Sequence, residues 1–125
     1  MQYNTRMTTR RSALGKQGEQ IAAEYLSQHG YDLIETNWRH AQGEFDLVAR
    51  HENILVFIEV KTRREGIEAA FESITPRKRQ ILERTAYLYL AEHELESDWR
   101  IDVIAVTISS KGSPAVEHIE NALDW

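Results

Sequence analysis

A chain of 125 residues, 42% apolar and 28% charged, fits one soluble domain with a buried core and leaves little room for a second. No apolar run approaches the roughly 20 residues of a membrane span. The basic, polar N-terminus has no apolar stretch of the secretory kind, so export is not expected and a cytoplasmic location is. Cysteine is absent, which excludes disulfides and thiolate metal sites and leaves oxygen or imidazole ligands for any metal.

Residues 1–12 lack apolar periodicity and are read as a flexible basic arm; residues 13–125 are read as the single domain. From Ala13 to His29 the residues Leu14, Ile21, Ala22, Tyr25 and Leu26 recur at helical spacing, and Gly30 stands where a C-terminal cap belongs. Tyr31 to Trp38 is a short strand, His40 to Gly43 a polar turn, and Phe45 to Arg50 a strand in which Phe45, Leu47 and Ala49 alternate with Asp46 and Val48. After the polar break Glu52-Asn53, the β-branched segment Ile54 to Val60 reads as a central strand covered on both faces. Thr62 to Ser73 is charged and contains glycine. Thr75-Pro76 then supplies an N-cap and a proline at the first helical position, opening a second helix that runs to about Ala91. Arg100 to Ile108 is another strand, Gly112-Ser113-Pro114 a turn, and Ala115 to Ile119 a last short strand.

The formal net charge is −5, but its distribution is uneven. Arg6 to Lys16 holds four basic residues and no acidic one, Lys61 to Arg84 holds seven against four, and beyond Arg84 eight carboxylates face Arg100 and Lys111 alone. The acidity can therefore sit on a face remote from a polyanionic ligand, or all these charges can simply be solvated surface.

If Glu52-Asn53 is a two-residue hairpin loop, Asp46 falls opposite Glu59 and Glu44 opposite Lys61, all four on one face of the sheet. Opposed carboxylates with Cβ atoms about 4.5–5.5 Å apart repel. A divalent cation between them offsets that repulsion, and hard oxygen ligands suit Mg²⁺ or Mn²⁺. Lys61 lies one strand repeat beyond Glu59 on the same face, within reach of a phosphate or water at such an ion. The competing reading is a solvent-facing strand end where these charges merely pair with one another; Leu55 and Phe57, sharing the face, speak against it. Glu19 has Ala22, Ala23 and Leu26 at its i+3, i+4 and i+7 positions, which puts a carboxylate on or beside the apolar stripe of the first helix. Lys78, three residues before Ile81 and seven before Thr85, turns a cation toward the covered face of the second. The five histidines are scattered and read as surface residues, and Asp102 as a structural hydrogen-bonding group.

A helix bearing an acid, a strand with Asp, a next strand reading Glu-Val-Lys, then a helix and strand resemble the PD-(D/E)xK nuclease superfamily of restriction enzymes and Holliday junction resolvases. More closely, Gly15 with GE at 18–19, AAEYL at 22–26, GYDLIETNWR at 30–39, GEFDLVA at 43–49, FIEVKTR at 57–63, ITPRKRQ at 74–80, RIDVIAV at 100–106 and HIENA at 118–122 resemble the YraN family of small bacterial proteins. The resemblance implies an α/β fold with a restriction-endonuclease-like αβββαβ core, a central mixed sheet flanked by helices. It implies that Asp46 and Glu59 hold the metal, that Lys61 orients or activates the attacking water, and that Glu19 completes or tunes the site. The superfamily's proline is absent, because Gly43-Glu44-Phe45 precedes Asp46. Lys78, with Gln80 as a weaker second, occupies the helix where relatives place a phosphate-contacting residue.

The expected chemistry is Mg²⁺- or Mn²⁺-dependent phosphodiester hydrolysis of nucleic acid, DNA foremost, in repair or recombination. Arg63, Arg64, Arg77 and Arg79, together with Arg6, Arg10 and Arg11 of the arm, are expected to contact phosphates without reading sequence. The alternative is a non-catalytic nucleic-acid-binding or scaffold module that keeps the fold. Cutting both strands of a branched substrate would favour a homodimer, for which the sequence identifies no interface.

Overall fold

The computed structural model describes residues 13–64 and 75–124, so the expected arm over residues 1–12 lies outside the described residues. The element order is α1 (Ala13–Gln28), β1 (Asp32–His40), β2 (Gly43–His51), β3 (Ile54–Arg64), α2 (Pro76–Glu92), β4 (Trp99–Ile108), β5 (Ala115–Ile119) and a short 3₁₀ turn (Ala122–Asp124). The strands form one sheet in the order β1-β2-β3-β4-β5, antiparallel throughout except for the parallel pair β3–β4. This is the expected αβββαβ core with one further strand.

Two apolar layers hold it together, one on each face of the sheet. On one face Ala22 and Leu26 of α1 pack with Leu47, Ala49, Val56, Ile58, Ile104 and Val106. On the other, Leu82, Ala86, Tyr89 and Leu90 of α2 pack with Trp38, Phe45, Val48, Leu55, Phe57 and Ile101. Strand β3 lies between both layers: Leu55, Val56, Phe57 and Ile58 are all fully buried, each side chain contributing about 1.5–3 kcal/mol by leaving water. Among the described residues no helix is long and apolar enough to cross a membrane.

Local chemistry sets the ends of the elements. Gly30 adopts φ +85°, and the N–H of Tyr31 returns to the carbonyl of Leu26 at 3.0 Å, closing α1. Thr75 caps α2, its hydroxyl accepting the N–H of Lys78 at 3.1 Å ahead of Pro76. Glu52 and Asn53 both take left-handed backbone angles, φ +51° and +67°, as a two-residue hairpin turn requires.

Two expectations change. Thr62, Arg63 and Arg64, expected to begin the charged segment after the strand, continue β3 because β4 offers Val106, Thr107 and Ile108 as parallel partners. Phe45, expected to share a face with Leu47 and Ala49, packs instead in the α2-side layer while those two pack in the α1-side layer. The strand therefore departs from regular alternation at Asp46. On the neighbouring strand Thr36 pairs with Leu47 and Trp38 with Phe45, and Asn37 between them takes φ +53°.

Candidate functional site

The tight turn at Glu52-Asn53 imposes the expected register, from His51 opposite Ile54 to Leu47 opposite Ile58. There the ladder ends, one step before Asp46 and Glu59. Instead of a further main-chain pairing, the Asp46 carboxylate accepts the N–H of Val60 through Oδ2 at 2.7 Å. Asp46 thus sits in the fork where β2 and β3 separate, its side chain fixed by the backbone of the residue after Glu59. A bond to a carboxylate is of the charge-assisted kind, stronger than a neutral one. Glu44 does not lie opposite Lys61; it pairs across β1–β2 with Arg39, at 2.7 Å between exposed side chains.

Glu59 has two differently placed oxygens. Oε1 forms an ion pair with Lys78 Nζ at 3.2 Å. Oε2 is buried and has no hydrogen-bond partner among the described residues. A buried carboxylate oxygen without a donor costs free energy unless a cation or water satisfies it, so a hard dication fits this atom. Asp46 and Glu59 are the residues that would hold one. Among the described residues no group of three or more imidazole and carboxylate side chains is gathered so as to hold a metal. That is compatible with Mg²⁺ and Mn²⁺ binding by one or two carboxylates, with water and substrate oxygens as the other ligands.

The remaining expected residues surround this fork unequally. Lys61 is half-buried on β3, two residues beyond Glu59 and so on the same face. Glu19 is half-buried beside the buried stripe Gly18, Ala22 and Leu26 of α1. Its neighbour Gly18 lies so close to the Thr62 side chain that a Cβ there would collide with it. Glu19 therefore approaches β3 from the α1 side, whereas Glu59 lies on the α2 side with Lys78. Arg63 donates to the Thr62 carbonyl at 3.0 Å; Arg64, Arg77 and Gln80 are exposed, and Arg79 is half-buried.

A second polar constellation lies on the α1 side, built around Asp102. Asp102, fully buried, accepts four hydrogen bonds: from Arg100 Nε at 3.0 Å and Nη2 at 3.3 Å, His118 Nε2 at 2.8 Å and the Asn121 N–H at 2.9 Å. His118 Nδ1 meets the Tyr25 hydroxyl at 3.2 Å, and Arg100 Nη2 donates to the Tyr31 hydroxyl at 2.8 Å. A neutral imidazole with its proton on Nε2 satisfies both of its contacts. Burial alone would raise the Asp102 pKa, but the hydrogen bonds from His118, Arg100 and Asn121 and the charge of Arg100 outweigh it and hold the carboxyl below its ordinary value. Burial raises the phenols of Tyr25 and Tyr31, so both remain donors at neutral pH.

Asp102 is thus structural, as expected, tying β4 to β5 and to the segment after it. His118 corrects the expectation of surface histidines, its side chain being only 7% exposed. A signal was available: His118 lies opposite Ile104, two residues from Asp102 on the same face.

Residues 18–106 match the model of the uncharacterised protein family UPF0102. Curated relatives include a UPF0102 protein of Roseiflexus castenholzii, 45% identical over 122 residues, covering 94% of this chain and 98% of its own. A UPF0102 protein of Herpetosiphon aurantiacus is 47% identical over 120 residues, covering 91% and 96%. One from Porphyromonas gingivalis is 41% identical over 110 residues, covering 86% and 82%.

Proposed function

The chain belongs to the uncharacterised protein family UPF0102, and from the fork at Asp46 and Glu59 we propose that it is a metal-dependent nuclease of the PD-(D/E)xK type. Its substrate is nucleic acid, DNA foremost, in cytoplasmic repair or recombination. The observation that carries this reading is the buried Glu59 Oε2, without a hydrogen-bond partner among the described residues, next in sequence to the Val60 N–H that holds the Asp46 carboxylate.

Asp46 and Glu59 hold the ion, and Glu19, across the sheet on the α1 side, tunes the site through its charge rather than as a ligand. Bound there, Mg²⁺ or Mn²⁺ supplies Lewis acidity at the scissile phosphate. Lys61 orients the attacking water and offsets the charge that accumulates on the phosphorus oxygens. Lys78, tied to Glu59 at 3.2 Å, stands within reach of the same phosphate. Arg63, Arg64, Arg77 and Arg79, with Gln80, contact flanking phosphates, so affinity falls with salt.

The Lys78–Glu59 pair also favours a second reading, a binding module without catalysis, because a protein ammonium already balances one of the two carboxylates. Incubation with single-stranded, duplex and branched DNA in Mn²⁺ separates the two. The nuclease reading expects cleavage of at least one substrate that Asp46→Ala abolishes; salt-sensitive binding with no cleavage of any of them supports the module.

A further inference from the structure

Helix α2 buries Leu82, Thr85, Ala86, Tyr89 and Leu90 against the sheet. On the opposite surface Arg77, Gln80, Arg84, Tyr87 and Ala91 are all exposed. Steps of three and four residues align these positions into one stripe along the helix axis. The stripe begins beside Lys78, the residue paired with Glu59. Near its far end stands Tyr87, a large aromatic side chain left 58% exposed.

Tyr87 is exposed but held. Its ring packs edge-to-face on Trp99, with centroids 5.4 Å apart and planes at 78°. Trp99 in turn packs edge-to-face on the buried Phe57, at 6.0 Å and 69°. In an edge-to-face pair, whichever ring presents its edge, at least one face of the Tyr87 ring is left uncovered by Trp99. A ring that is oriented by the core and open on one face is a stacking platform. Arg77 and Arg84 precede it, about 10 Å apart along the helix, and among the described residues neither is held in an ion pair. Glu83 flanks the stripe beside Arg79, four residues back, so the cationic character runs along the Arg77–Arg84 line.

We propose that this surface of α2 binds a single-stranded stretch of nucleic acid, its phosphates on Arg77 and Arg84 and an unpaired base stacked on Tyr87. Cations that follow the backbone and an aromatic face for the base are the two components of single-strand recognition. A duplex keeps its bases stacked on one another and offers none to Tyr87. The inference rests on the reading of the protein as nucleic-acid-binding and narrows the substrate to one with an unpaired segment next to the scissile phosphate.

The test is fluorescence anisotropy with a labelled oligodeoxythymidine, the matching oligouridine and a blunt duplex of equal length, at one salt concentration. Tyr87→Ala is expected to weaken single-strand binding by about tenfold while changing duplex binding by less than about twofold. Tyr87→Phe keeps the ring and is expected to bind as the wild type does. Equal thermal melting of the variants shows that the fold is intact, as an exposed position allows. The DNA and RNA arms report which single strand the surface takes, and a tenfold loss on either supports the proposal. Unchanged single-strand binding by Tyr87→Ala, or an equal loss on single strand and duplex, overturns it. If the wild type binds no nucleic acid at all, both this proposal and the nuclease reading fall. If it binds in a salt-sensitive way that Tyr87→Ala does not alter, only the stacking proposal falls.

Discussion

Lys78 Nζ lies 3.2 Å from Glu59 Oε1 and ties the first turn of α2 to the central strand at the fork. The two side chains keep 43% and 21% of their exposure. The pair is therefore worth less than about 1 kcal/mol to the fold. Its greater effect is on the charge that Glu59 presents to an ion. Lys78→Met is expected to leave the thermal midpoint within a few degrees of wild type, to tighten Mn²⁺ binding severalfold by removing a competing cation, and to weaken nucleic-acid binding. Thermal melts, calorimetry and anisotropy read the three effects separately; weaker Mn²⁺ binding in the variant would contradict the assignment.

Gly18 brings α1 against β3 so closely that a methyl group there meets the Thr62 side chain. Gly18→Ala is expected to destabilise by about 1–3 kcal/mol, the usual cost of overpacking. Thr62→Ala in the same chain should restore part of that loss. Urea unfolding of both single variants and the double variant measures the coupling, and strictly additive losses would show that the two residues do not meet.

Asp102 gives the fold an acid limit. Its carboxyl titrates below the ordinary aspartate value in the folded chain and near 3.9 when unfolded. The folded state therefore holds the proton less tightly. This contribution to stability is complete above about pH 4 and is lost as the pH falls through the folded-state value. Asp102→Asn is expected to cost about 3 kcal/mol at pH 7, since it takes from the largely buried Arg100 its nearest counter-charge and leaves, among the described residues, only Glu120, at 3.9 Å. Urea midpoints taken from pH 6 down to pH 3 should fall more steeply in the wild type than in the variant.

The sequence shows the order of elements and the register because the signals for both are local. Helical spacing from Leu14 to Leu26 defines α1, Thr75-Pro76 opens α2, and Glu52-Asn53 sets the pairing of His51 with Ile54 and every pair down to Leu47 with Ile58. Register arithmetic assumes that the ladder continues. It could not show that the strands part at Asp46, that Asp46 accepts a main-chain N–H instead, or that Phe45 changes faces there. Those features depend on irregular backbone at Asn37 and on the shape of the α2-side core. The Lys78–Glu59 pair was approachable, because the capping residue set where Lys78 falls in the first helical turn. The Asp102 network was less so, as it joins Tyr25, Tyr31, Arg100, His118 and Asn121 from five separate segments.

The central claim is that Asp46 and Glu59 together hold a divalent ion. Calorimetric titration of Mn²⁺ into the wild type, Asp46→Asn and Glu59→Gln tests it most directly, with circular dichroism confirming that the variants fold. One ion bound per wild-type chain, and none in either variant, is the predicted result. No binding to the wild type, or equal binding by all three proteins, would contradict it.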